Sequence, residues 1–206
     1  MKNYRGSKGK IVRRFGVNIF ESPKYDRLLE KRPTPPGMHG LKRKKGKTSE
    51  YGRQLNEKQK IKFSYGLTEK QFRGLYEKAS TKKGPTGELL LQLLETKLYN
   101  VVFRAGFAST RAQARQFVGH GHLTVNGKKV DIPSFQLNIG DKISVRSKKV
   151  SQEMATRYID ENNWRDVLSW VSVDRPSMTF ELNKLPERSE IPCEADEQLV
   201  VELYSK

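Results

Sequence analysis

The chain has 206 residues, with 40 Lys or Arg against 23 Asp or Glu, a formal charge of +17 and a pI near 9.9. Self-repulsion on that scale disfavours a compact fold unless a polyanion neutralises it, so nucleic acid is the expected partner. The single cysteine, Cys193, excludes an intramolecular disulfide and a cysteine-built zinc site, and no apolar run approaches the ~20 residues of a membrane helix. No positive segment followed by an apolar core opens the sequence, so no secretory leader is expected.

Charge is unevenly placed: residues 1–62 hold 19 basic and 5 acidic side chains, residues 63–149 hold 15 and 6, and residues 150–206 hold 6 and 12. The first two stretches are the expected polyanion surface, and the last is not. Residues 1–47 are rich in Lys, Arg, Gly and Pro with few apolar residues at regular spacing, and read as a basic extended arm. Pro33, Pro35, Pro36 and Gly37 forbid a long helix there, and Lys42 to Lys47 is a dense cationic block. The arm is either solvated or, on RNA, ordered along phosphates through Arg5, Lys8, Arg13, Arg14, Lys42, Arg43, Lys44, Lys45 and Lys47.

Residues 48–87 read as a helical domain. Ser49 to Tyr65 has helical spacing, with Leu55 and Ile61 or Phe63 as apolar anchors. Arg53, Lys58, Lys60 and Lys62 are expected to be exposed, with Tyr51 and Gln54 among the candidate RNA contacts. After Gly66, Thr68 and Gln71 form a capping box, Leu67 can staple onto Phe72, and Phe72, Leu75, Tyr76 and Ala79 share a core face. Arg73, on the same helix, is a further contact candidate. Gly84-Pro85-Thr86-Gly87 is the linker at which the domain boundary is placed.

Residues 88–184 read as an α/β domain with its centre in Glu88 to Arg146. Leu90, Leu94 and Leu98 recur every fourth residue and Val101 and Val102 extend the stripe, predicting a helix that Gly106 stops. Thr110 is an N-cap with Gln113 three residues on, so Arg111 to Val118 is a second short helix with Ala114, Phe117 and Val118 inward. Arg111 and Arg115 stand four apart on one face and Arg104 precedes the joining turn, which predicts a cationic edge, with Gln116, His120 and Lys128 beside it. Strands follow at His122 to Val125 and Lys128 to Val130 around the Asn126-Gly127 turn, and at Lys142 to Arg146. Beyond them, Ser151 is expected to cap a helix to about Asn162. Val167 to Val173 and Met178 to Leu182 read as strands, Trp170 as core, and Asp196 to Tyr204 as strand or, preferably, helix. The fold class expected is α+β: a mostly helical N-terminal domain with the basic arm, plus an α/β domain of two helices on a small antiparallel sheet.

Catalytic chemistry is sparse. His39, His120 and His122 lack a nucleophile pattern or a third metal ligand, and no glycine loop is followed by Lys-Ser or Lys-Thr. No cofactor, metal or small-molecule substrate is expected, and the chain is not expected to be an enzyme.

The run Leu93-Leu94-Glu95, Asn100-Val101-Val102-Phe103-Arg104, Thr110-Arg111, Ala114-Arg115-Gln116, His120-Gly121-His122 and Val125-Asn126-Gly127 resembles the RNA-binding domain named after the fourth protein of the small ribosomal subunit. Similar domains are appended to RNA-modifying enzymes. The flanks decide: Pro36-Gly37-Met38-His39-Gly40, Ser49-Glu50-Tyr51-Gly52, Glu69-Lys70-Gln71-Phe72, Pro186-Glu187-Arg188 and Glu202-Leu203-Tyr204-Ser205-Lys206 are similar to the bacterial form of that ribosomal protein family itself. The resemblance implies a helical domain completed by residues 185–206 with the α/β domain inserted between, and a structural constituent of the small subunit of the bacterial ribosome, in the cytoplasm. It also implies direct binding to the 5′ domain of small-subunit (16S) ribosomal RNA, nucleation of assembly, and contact with small-subunit ribosomal protein five that affects decoding accuracy. Glu194, Glu197 and Glu202 are the expected acidic contributors to that protein contact or to internal docking. Messenger RNA, where it enters the particle, is a further partner the sequence leaves open, as is a free RNA-binding factor outside the ribosome. Two departures stand out: the four zinc-binding cysteines of many members are absent, and the usual Arg-Leu-Asp-Asn reads Lys97-Leu98-Tyr99-Asn100.

Overall fold

The computed structural model describes residues 4, 6–40 and 48–205, and side-chain caps open several of its helices. The chain forms two units, one from residues 1–89 with 192–206 and one from residues 90–191.

In the first unit, α1 (Lys8–Phe15) and α2 (Pro23–Lys31) occupy the segment expected to be an extended arm. The correction has a plain cause. Ile11 and Val12 are buried, so the few apolar residues there do form a helix face. Gly16, at φ 72°, ends α1 in the left-handed conformation, and Pro23 opens α2 where its missing N–H leaves no partner unmet. The cationic block of Lys42 to Lys47, like Arg5, lies outside the described residues. Ser49 caps α3 (Glu50–Ser64) by accepting from the Gly52 amide, and the Thr68–Gln71 capping box opens α4 (Glu69–Ser80) in both directions. The C-terminal α9 (Glu197–Ser205) packs along α3, Gln54 Nε2 donating to Glu202 Oε2 at 3.0 Å and the Asp196 amide to Glu57 Oε2 at 3.1 Å. Phe72 and Ala79 of α4 are fully buried, and Tyr76 stacks on Tyr204 with centroids 4.6 Å apart.

In the second unit the leucine stripe is not one helix. It divides into α5 (Thr86–Glu95), whose first residues belong to the other unit, and α6 (Leu98–Arg104). The cause lies 34 to 41 residues along the chain: Thr96 O accepts from the Leu137 amide, and the Leu98 and Tyr99 amides donate to Phe135 O and Pro133 O, leaving Lys97 extended opposite Gln136. Outside partners take the hydrogen bonds a continuous helix would have made within itself.

Thr110 caps α7 (Arg111–Gly119), its hydroxyl accepting from the Gln113 amide at 3.2 Å, but Gln113 reaches back to the Ser109 amide rather than to the cap. Asn126 and Gly127, both at positive φ, turn β1 (Leu123–Val125) into β2 (Lys128–Val130), as a two-residue hairpin demands. With β3 (Lys142–Val145), β4 (Val171–Asp174) and β5 (Thr179–Leu182) they form one antiparallel sheet ordered β2-β1-β3-β5-β4. Helix α8 (Lys149–Glu161) starts ahead of the expected Ser151 cap; Ser151 is buried inside it, with its hydroxyl 2.9 Å from His122 Nδ1. Trp170 is core, as expected, and Phe107 meets Phe180 at 4.9 Å between the helices and the sheet.

Candidate nucleic-acid interface

The arginines expected to form an exposed edge are inside. Arg104 is 3% exposed, and Arg111 and Arg115 are 7%. The spacing argument placed them correctly on shared faces but could not say which side of those faces the fold covers. Arg104 and Arg111 face Glu95, fully buried at the end of α5. Arg104 grips it with two prongs, Nε to Oε2 at 3.0 Å and Nη2 to Oε1 at 2.7 Å, while Arg111 Nη2 lies 3.8 Å from Oε1. Bidentate geometry in a low-dielectric setting makes the Glu95–Arg104 contact the strongest here. Arg111 Nε donates to Asn100 Oδ1 at 3.0 Å, and Asn100 is oriented in turn by donating to Leu94 O.

The guanidiniums also lie on ring faces. Arg111 and Arg165 stand 4.6 and 4.1 Å from the centroid of buried Phe103, and Arg115 stands 4.2 Å from that of buried Tyr99. Arg165 donates to Phe103 O at 3.0 Å, tying the segment after α8 to the turn between α6 and α7. The buried charged residues of this unit are Glu95 against Lys97, Arg104, Arg111 and Arg115, a strong positive excess. Burial raises the Tyr99 phenol above its usual range although Arg115 and Arg111 pull it down, so it stays neutral. Gln116, His120 and Lys128 are exposed around α7 and β2. Burial, then the charges of His120, Arg146 and Lys148, lowers His122.

The first unit divides its candidates in the same way. Lys58, expected to be exposed, is 8% exposed; its ammonium sits 2.6 Å from Glu69 Oε1, and that of Lys62 sits 3.0 Å from Oε2. Burial alone would raise Glu69, but hydrogen bonds from Lys58, Lys62 and the Tyr204 hydroxyl hold it down at about 2. Gln54 is buried on Glu202, and Lys60 pairs with Glu57 at 2.7 Å. Arg13 staples the loop after α2, donating to Thr34 O at 2.9 Å and Pro35 O at 3.2 Å. Lys8 lies over Phe20, at 5.3 Å. Exposed candidates are Arg14, Tyr51, Arg53 and Arg73, the last two beside Glu50 and Glu77 of their own helices. Of the acids, Glu194 is exposed, Glu202 holds Gln54, and Glu197 lies against Gly87.

Sequence reasoning did not single out Glu95, Glu69 or Arg165 as site residues. The one available signal for Glu95 was an acid embedded in a leucine run. Among the described residues, no group of three His, Cys, Asp or Glu could hold a metal ion, and no helix is long and apolar enough to cross a membrane.

The family described as "Ribosomal protein S4/S9 N-terminal domain" matches residues 3–95, and that described as "S4 domain" matches residues 96–143. The chain is 48% identical over 206 residues, all of both chains, to "Small ribosomal subunit protein uS4" of Akkermansia muciniphila. It is also 48% identical over 201 residues, 97% of this chain and 96% of the relative, to the protein of that name from Borrelia hermsii. With both family matches running in sequence along one continuous full-length similarity, the chain belongs to the small ribosomal subunit protein uS4 family.

Proposed function

We propose that this protein is a structural constituent of the small subunit of a bacterial ribosome, in the cytoplasm, and binds the 5′ domain of small-subunit ribosomal RNA directly, early in assembly. Its family is one of structural ribosomal proteins rather than enzymes. The observation that carries the RNA reading is the arginine cluster around α6 and α7. Arg111 and Arg115, each 7% exposed, are fixed by packing over the Phe103 and Tyr99 rings, Arg111 in the first turn of a capped helix. Duplex RNA is recognised by backbone geometry and splayed junction nucleotides, which preset cations suit. In the first unit, Arg14, Arg53, Arg73 and Tyr51 supply the exposed contacts, joined by the cationic block at 42–47. Glu194 and Glu197 supply the contact to small-subunit ribosomal protein five, through which decoding accuracy is influenced.

The test is binding of the full chain to the isolated 5′ domain of small-subunit ribosomal RNA against excess generic duplex RNA over a salt series. Specific binding survives competitor, and Arg111→Ala with Arg115→Ala weakens it. Equal competition by duplex RNA at every salt concentration would mark a non-specific basic protein instead.

A further inference from the structure

Away from the arginine cluster, the turn that follows α7 gathers His120, His122, Lys129, Arg146 and Lys148 in one place. His120, the C-cap of α7, is exposed, and its ring centre stands 6.0 Å from that of His122. Between them Gly121 is buried at φ 69°, a left-handed conformation that glycine adopts without strain. A Cβ there would lie 2.5 Å from Lys129 Cε and 3.3 Å from its Nζ, so the Lys129 stem crosses the turn itself. Arg146, just past β3, donates from Nη1 to Gly121 O at 3.2 Å, a neutral acceptor. Lys148, the exposed N-cap of α8, makes no side-chain hydrogen bond or ion pair among the described residues. The one carboxylate among the described residues that pairs with any of these side chains is Asp131, 3.6 Å from Lys129 Nζ, with both groups exposed.

His122 registers this crowding. Its Nδ1 lies 2.9 Å from the Ser151 hydroxyl of α8, and its ring stacks on Phe117 with centres 5.0 Å apart. The groups whose charge reaches it are His120 from the end of α7, Arg146 from beyond β3 and Lys148 from the start of α8. Burial first and then these cations lower it, so it is neutral at pH 7 in the free protein. An anion seated among them would reverse that balance, because a nearby negative charge favours the protonated ring.

We propose that the Gly121 turn is a phosphate site for RNA, one phosphodiester seated among His120, Lys129, Arg146 and Lys148, with His122 taking up a proton as it binds. The inference rests on the proposed ribosomal RNA interface and gives it a second contact, at the other end of α7 from Arg111.

The experiment measures affinity of the full-length protein for the 5′ domain of small-subunit ribosomal RNA over a salt series at about pH 7.5 and about pH 5.5, either side of the ordinary histidine range. Circular dichroism confirms folding of each variant at both. Arg146→Gln with Lys148→Gln lowers the salt slope by about 0.7 to 0.9, the equivalent of one phosphate contact. Lys148→Gln alone lowers it by part of that, which keeps the test independent of the Arg146 contact to Gly121. The parent binds about 3- to 10-fold more tightly at the lower pH, the effect of one histidine protonated more readily in the complex. His122→Asn and the Arg146–Lys148 double variant both lose that gain, which a purely structural role for either would not produce. If the double variant keeps the slope and affinity of the parent, no phosphate sits at the turn, and the interface on α6 and α7 stands on its own test. If the slope falls but the parent binds equally at both pH values, or His122→Asn keeps the gain, the proton uptake is wrong and the proposal with it. Competition by duplex RNA as effective as by the 5′ domain overturns the interface reading and this inference together.

Discussion

Glu95→Gln isolates the electrostatic anchor of the second unit, because the amide has nearly the shape of the carboxylate and opens no cavity. Arg104, 3% exposed, would keep its charge and lose the countercharge it grips at 2.7 and 3.0 Å. Removing one member of a buried pair costs about 3–5 kcal/mol, against a total stability of about 5–15 kcal/mol for a domain. Roughly a fifth to the whole of the unit's stability should go. Both tryptophans, Trp164 and Trp170, lie in this unit, so urea unfolding followed by tryptophan fluorescence reports it selectively. With an m-value of roughly 2 kcal/mol/M the midpoint should fall by about 2 M. Replacing the pair together, Glu95→Leu with Arg104→Met, should recover much of the loss, since buried ion pairs rarely surpass apolar residues of similar volume. A Glu95→Gln midpoint within about 0.3 M of the parent would refute the argument, for it would mean that the guanidinium finds equal compensation elsewhere.

Three further outcomes test other parts of the fold. Glu69, held at about 2 by Lys58, Lys62 and Tyr204 against an ordinary 4.5, has a depressed folded-state value. Its contribution is therefore complete above about pH 4.5 and lost as pH falls towards 2, and Glu69→Gln should flatten that part of the acid-unfolding curve followed by far-ultraviolet circular dichroism. Gly87→Ala puts a Cβ 2.7 Å from Glu197 Cγ and should lower stability by about 1–3 kcal/mol in chemical denaturation; Glu197→Ala in the same chain should restore most of it. Thr110→Ala removes the oxygen that accepts from the Gln113 amide and should cost about 1 kcal/mol, with faster amide exchange confined to the first turn of α7.

Local chemistry was legible wherever its signal spans a few residues. The Thr68 and Thr110 caps, the Asn126-Gly127 turn and the core face of α4 follow from side chains whose partners lie within a turn of them. The α1 and α2 helices were missed because Pro, Gly and Lys dominate the segment's composition, while the buried residues of α1, Ile11 and Val12, are adjacent and show no period, and α2 buries none. The break between α5 and α6 was invisible for another reason: the stripe Leu90, Leu94, Leu98 is perfectly helical, and what interrupts it are main-chain partners at residues 133–137.

Composition and motif thus determined by themselves that this chain meets a polyanion, that it is α+β, and which family it resembles, because charge, capping chemistry and short motifs are properties of the sequence alone. Only the tertiary structure decided which cations remain available. Arg104 and Lys58 look on a helical wheel like any other surface charge, but Glu95 stands nine residues before the one and Glu69 eleven after the other. Whether a guanidinium faces water, a carboxylate or a ring depends on where distant segments close over it, and no spacing rule carries that information.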